Sequence, residues 1–158
     1  MTVAYVLALA AFAYFTRATA RRIVGALVGA AAAGLVALGM IALCEALGWW
    51  KLPFVSTAYL WLPLYVGLSI SLSPIYLVTW RLTRRFGGRG LTWSLVVVAV
   101  VGPPRDYLYA AKYPDWMVFA PGVAPILADL VAYVVIVALG HAVMSLVAGP
   151  ARADRFAR

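Results

Sequence analysis

One cysteine and one histidine occur in 158 residues. Cys44 alone rules out an internal disulfide and a cysteine-only metal site, and reads as a small packing residue. His141 stands without an HExxH pattern and without a nearby carboxylate, so a metal centre is not expected. No serine lies in a GxSxG elbow, which argues against a hydrolase triad, and the glycine loop at Gly87 to Gly90 lacks the GK[ST] ending of a phosphate loop. Charge is scarce too: 11% of residues are Asp, Glu, Lys or Arg, and only five of those are acidic. So little charge excludes an ordinary water-soluble surface.

What is present is apolar. Hydrophobic residues make up 66% of the chain, and the mean hydropathy is +0.97. A bilayer core needs about 20 apolar residues as helix, and five segments approach that length: 2–18, 22–48, 55–80, 90–111 and 122–148. The expectation is one all-α domain, a polytopic membrane bundle of five transmembrane helices. The first segment has no basic residue before it and has Arg17, Arg21 and Arg22 after it, the reverse of a secretory signal, so it is read as a span.

The formal charge of +8 comes from 13 Lys and Arg. Ten of them fall in three segments: Arg17, Arg21, Arg22; Arg81, Arg84, Arg85, Arg89; and Arg152, Arg155, Arg158. Lys51, Arg105 and Lys112 lie on the other side. The positive-inside rule then places the N-terminus outside and the C-terminus in the cytoplasm of an inner membrane, with 149–158 a short basic tail against anionic headgroups. Membrane lipids are the expected partners; nucleic acid has no support beyond net charge.

Within the spans, Gly25, Gly29 and Ala33 recur at four-residue spacing. Such small residues admit close backbone approach, either to a second copy in a homo-oligomer or to another span of the same chain. Trp49, Trp50, Lys51 and Pro53 mark the outer interface and the end of the second span. Pro63 and Pro74 flank Ser69, Ser71 and Ser73, whose hydroxyls can bond carbonyls that proline leaves free. Gly87, Gly88 and Gly90 predict a flexible loop.

The stretch Gly102 to Asp129 gathers most of the polar groups. Gly102-Pro103-Pro104 predicts a break in the fourth span, followed by Arg105, Asp106, Tyr107, Tyr109, Tyr113 and Trp116. Asp129 lies about seven residues inside the fifth span. An aspartate at a helix centre in a bilayer costs about 2.5 to 3.5 kcal/mol, so it is expected to face the bundle interior and to be functional or paired. Glu45, Asp106 and Asp129 share the outer side and are the candidate acids and bases. Arg105 is the orienting cation, and Tyr107, Tyr109, Trp49, Trp50 and Tyr133 offer ring faces to a developing positive charge. The competing reading is a structural ion pair between Arg105 and one of these carboxylates.

The run Glu45-x-x-Gly48-Trp49-Trp50, followed by proline and aromatics, resembles the acidic, aromatic-rich motifs of the membrane-bound lycopene cyclase and carotenoid hydratase group. That likeness implies a cofactor-independent enzyme that protonates an isoprenoid double bond, with Glu45 the residue carried over. The paired-glutamate and PxE-type segments of that group are missing here. Separately, GPPRDY, P-G-x-x-P-x-x-A-D and M-x-L-V-A-G-P-A-R-A-D are similar to segments of small uncharacterised bacterial membrane proteins. The leading expectation is a small enzyme acting on an isoprenoid or lipid in an outer-half pocket. The alternatives are an accessory or scaffold subunit and an oligomeric proton-coupled transporter.

Overall fold

The computed structural model describes residues 2–55 and 60–150. Residues 56–59 of the expected third span and 151–158 of the expected basic tail, with Arg152, Arg155 and Arg158, lie outside the described residues. The chain is all-helical apart from two short strands: α1 (Thr2–Thr16), α2 (Ala20–Ala46), β1 (Trp50–Lys51), α3 (Trp61–Phe86), α4 (Gly88–Lys112), β2 (Val118–Phe119) and α5 (Val123–Ala148). Helices α2, α3 and α5 are long and apolar enough to cross a membrane, the signature of a membrane protein. Large apolar side chains such as Leu35, Leu62, Val100 and Leu146 point outward, where lipid replaces water as the solvent.

Helix α2 is the centre of the bundle, packed most extensively on α5 and next on α3; α1 leans on α3, and α4 closes the other flank against α3 and α5. The reason lies in small residues. Ala26, Ala30, Ala33 and Ala37 form a buried stripe at helical spacing, and Gly25 and Gly29 lie against α5, where a Cβ on Gly29 would meet the carbonyl of Gly140. The close approach expected of Gly25, Gly29 and Ala33 is thus filled within one chain. Opposite, Gly140 makes room for the ring of Tyr76, which is wholly buried and donates its hydroxyl to the Ile136 carbonyl at 2.9 Å.

Several helix ends depart from expectation. Helix α2 stops at Gly48 (φ 71°), where Gly48 N–H bonds Glu45 O and Trp49 N–H bonds Cys44 O. That is a Schellman cap with glycine in the left-handed position, so Pro53 does not end the helix. Arg17 (φ 51°) closes α1 in the same pattern, through Arg17 N–H to Tyr14 O and Ala18 N–H to Ala13 O. The flexible loop expected over 81–90 is instead helix on both sides of a single residue, Gly87 (φ 65°). Gly90 permits this tight hairpin because a Cβ there would collide with Leu82 backbone.

The break expected at Pro103–Pro104 is absent as well; α4 runs through both. Proline's φ suits a helix, and Gly102 carries no Cβ for the Pro103 ring to strike. The hydrogen bonds to the carbonyls of Ala99 and Val100 are lost, and each proline ring crowds the carbonyl four residues back. In α3, Ser71 Oγ bonds Leu68 O and Ser73 Oγ bonds Ser69 O around Pro74.

The two ends of the bundle differ in chemistry. One gathers the C-termini of α1, α3 and α5, and arginines serve as its caps: Arg81 donates to Thr16 O and Arg21 to Val147 O, both at 3.0 Å. There Arg22 sits 4.0 Å above the buried Trp80 ring. The other end is aromatic and holds the two strands, paired antiparallel with Trp50 opposite Phe119.

Candidate functional site

Under that small sheet the ends of α2, α4 and α5 converge. Tyr107 stacks on Phe119 with ring centroids 4.1 Å apart and planes 12° from parallel, and Phe119 meets Trp50 edge-on at 5.7 Å. Trp50 is buried, donates Nε1–H to Ile41 O at 3.3 Å, and packs with Cys44 and Leu52. Phe119 and Ala128 lie against the same cluster. The residue after Ala128 is Asp129.

Asp129 is 4% exposed. It falls on the buried stripe of α5, Pro125, Asp129, Ala132, Val137, Gly140 and Met144, so helical geometry rather than chance turns it inward. Its Oδ2 has no hydrogen-bond partner among the described residues, and neither has the buried hydroxyl of Tyr107. The groups within electrostatic reach of Asp129 include Tyr107, Cys44, Tyr133 and the Arg105–Asp106 pair. A buried polar atom left unpartnered costs about 1–3 kcal/mol, so a site holding two of them is one that a ligand atom or a transferable proton would relieve.

One helical turn further along α5, Tyr133 closes a polar ring with α4. Arg105 Nε and one terminal nitrogen donate to Asp106 Oδ1 at 2.8 and 2.6 Å. That nitrogen also donates to the Tyr133 hydroxyl at 2.6 Å, and Tyr133 donates to Asp106 Oδ2 at 2.7 Å. Gly102 makes room for the arrangement, since a Cβ there would lie 2.5 Å from the Tyr133 ring. Arg105 thus pairs with Asp106, and among the described residues Asp129 has no salt bridge.

Not all the expected site residues meet. Asp106, Tyr107, Trp50, Tyr133, Arg105 and Asp129 are brought to the convergence of α4 and α5. Glu45 is exposed at the end of α2, with its neighbour Cys44 facing inward in its place. Tyr109 pairs with Tyr113 at 4.8 Å, and Trp49 is half-buried beside the Trp50 cluster.

Cys44 is the buried packing residue expected, but its place beside Asp129 was not foreseen, nor were the site roles of Phe119 and Gly102. The first was readable, since Cys44 continues the stripe Ala30–Ala37 at a spacing of seven and Glu45 does not. Far from this end, His141 is buried with Nδ1 unpartnered. Among the described residues no group of three His, Cys, Asp or Glu side chains is placed to hold a metal. No family model, curated protein or solved structure matches the chain.

Proposed function

We propose that the chain is a multi-pass protein of the cytoplasmic membrane, crossing it five times with the N-terminus outside and the C-terminus inside. The arginine end carries Arg17, Arg21, Arg22, Arg81, Arg84, Arg85 and Arg89 against Lys51, Arg105 and Lys112 at the aromatic end, which supports that orientation. Helix α1, at 15 residues, rises about 22 Å and crosses with local thinning of the bilayer.

On this reading the protein is a small, cofactor-independent enzyme acting on an isoprenoid or lipid by acid–base chemistry. The observation that carries it is Asp129, inside the bundle with an oxygen that neither cation nor hydrogen bond occupies. A carboxyl group so placed is available to exchange a proton with a bound molecule. Asp129 gives its proton to one carbon of a double bond, and the positive charge left on the other carbon is faced by the rings of Tyr107 and Trp50. The Asp129 carboxylate then takes back a proton from an adjacent carbon, so the double bond moves or a ring closes with no net oxidation and the acid is restored.

The test is mass spectrometry of lipids retained by wild type, Asp129→Asn and Glu45→Gln in mild detergent. One isoprenoid or lipid species enriched in wild type and changed in Asp129→Asn supports the reading. Bulk phospholipid identical in all three sinks it. A second reading, an accessory subunit, is favoured by the closed Arg105–Asp106–Tyr133 ring, in which both charges are committed to each other and to one tyrosine. It requires Asp129→Asn to leave every lipid unchanged.

A further inference from the structure

The hairpin between α3 and α4 encloses a second feature, separate from the aromatic end. A cleft of about 470 Å³ is lined by Leu82, Arg85, Phe86, Arg89, Gly90 and Trp93. Arg85 belongs to the last turn of α3 and Arg89 to the first turn of α4, and both are exposed. They stand on the two lips because Gly87 turns the chain in one residue and Gly90 lets the helices touch. The first backbone N–H groups of α4 add partial positive charge to the same mouth.

The cleft continues as an apolar track. Trp93, Val97, Val101 and Leu108 share one face of α4 at spacings of four, four and seven, and all are outward-facing, Trp93 at 66% and Leu108 at 73% exposure. From Trp93 to Leu108 the helix rises roughly 20 Å. A cationic mouth with an indole at its edge, opening on an apolar strip of that length, has the charge and shape of one amphiphile: a phosphodiester head with an acyl chain.

We propose that this cleft binds an anionic phospholipid, its phosphate held between Arg85 and Arg89 and one acyl chain laid along Trp93, Val97 and Val101. The site rests on the bilayer placement above and is independent of the acid–base chemistry at Asp129. Arginine suits the task because its planar fork meets phosphate oxygens two at a time, and interfacial tryptophan sits at headgroup depth.

Native mass spectrometry of the full chain, released from detergent in the presence of equal phosphatidylglycerol and phosphatidylcholine, tests the proposal. Wild type is expected to keep phosphatidylglycerol, and Arg85→Gln/Arg89→Gln to lose roughly tenfold or more of that preference, since each basic group near an anionic surface contributes roughly a fivefold factor. The control Lys51→Gln/Lys112→Gln removes two charges from the other end and should keep it. Equal retention of the two lipids by wild type, or unchanged retention in the Arg85/Arg89 variant, overturns the site, as does a loss just as large in the control. Trp93→Ala keeps both arginines and should shorten the lifetime of the lipid adduct; an unchanged lifetime overturns the acyl track. Carbonate extraction separates the premises: release of the chain from membranes overturns the bilayer placement, whereas retention with equal lipid adducts overturns this site alone.

Discussion

Tyr133 on α5 gives its hydroxyl proton to Asp106 on α4 across 2.7 Å. The same oxygen accepts from Arg105, so one phenol joins two helices and two opposite charges. Hydrogen bonds to charged groups contribute about 1.5–3 kcal/mol in stability series. Tyr133→Phe is therefore expected to lower detergent unfolding stability by about 1–3 kcal/mol. An unfolding midpoint equal to that of wild type would show that the ring ties nothing together.

Asp129 makes the opposite prediction. Its Oδ2 lacks a partner, so Asp129→Leu removes an unrelieved polar group from an apolar site and should raise stability by about 1–3 kcal/mol. Asp129→Asn keeps shape and polarity but has no carboxyl proton to give, and should abolish any lipid conversion without unfolding the chain. Were Asp129→Leu to lose stability, the aspartate would be held by a contact that the unpartnered oxygen does not reveal.

Glycine positions on α2 separate packing from propensity. Gly29→Ala drives a methyl group into the carbonyl of Gly140 and is expected to cost about 1–3 kcal/mol through overpacking. Gly39 has nothing within 4 Å of an added Cβ, so Gly39→Ala should stabilise the helix by about 0.5–1 kcal/mol. Thermal unfolding of the two variants side by side reads the contrast; losses of the same size would mean that α2 and α5 do not meet at Gly29.

Glu45 lies outside the converging groups. Glu45→Gln is expected to change stability by no more than about 0.5 kcal/mol and to leave the retained lipids as they are. A lipid profile altered as strongly as in Asp129→Asn would put Glu45 back among the catalytic groups.

Helix positions were legible because apolar runs and arginine clusters alternate on the length scale of a bilayer; α1, α2, α4 and α5 lie close to the segments expected, whereas α3 (Trp61–Phe86) starts and ends later than the expected 55–80, its last turns carrying the arginines that were read as loop. What ends or continues them was less so. Gly48 and Arg17 close helices through left-handed backbone, a conformation that Arg17 does not advertise. Pro103 and Pro104 read as a break because proline removes hydrogen bonds. Gly102 ahead of them eases one of the clashes, that between the Pro103 ring and the residue before it.

At the site, burial of Asp129 followed from its place among apolar residues. Its lack of a salt bridge did not follow, since Arg105 has Asp106 beside it in the chain and Tyr133 across from it, and sequence spacing does not rank such partners. Tyr133 was weighed for its ring face, which lies 5.8 Å from the Arg105 guanidinium, but its hydroxyl makes the hydrogen bonds that close the polar ring. Trp50 and Phe119 meet only through strand pairing too short to carry a periodic signal.

That pairing also orders the assembly of the chain. The strands flank α3 and α4 in sequence, so the clasp of Trp50 on Phe119 closes only after both intervening helices have been placed and the second aromatic loop has been carried across. Closure is then a late event that locks the topology, and the amides of Lys51 and Val118 should be the last to gain protection in pulsed hydrogen exchange during insertion. A chain stalled before that point would have all its helices and still leave the Trp50–Phe119–Tyr107 stack unformed.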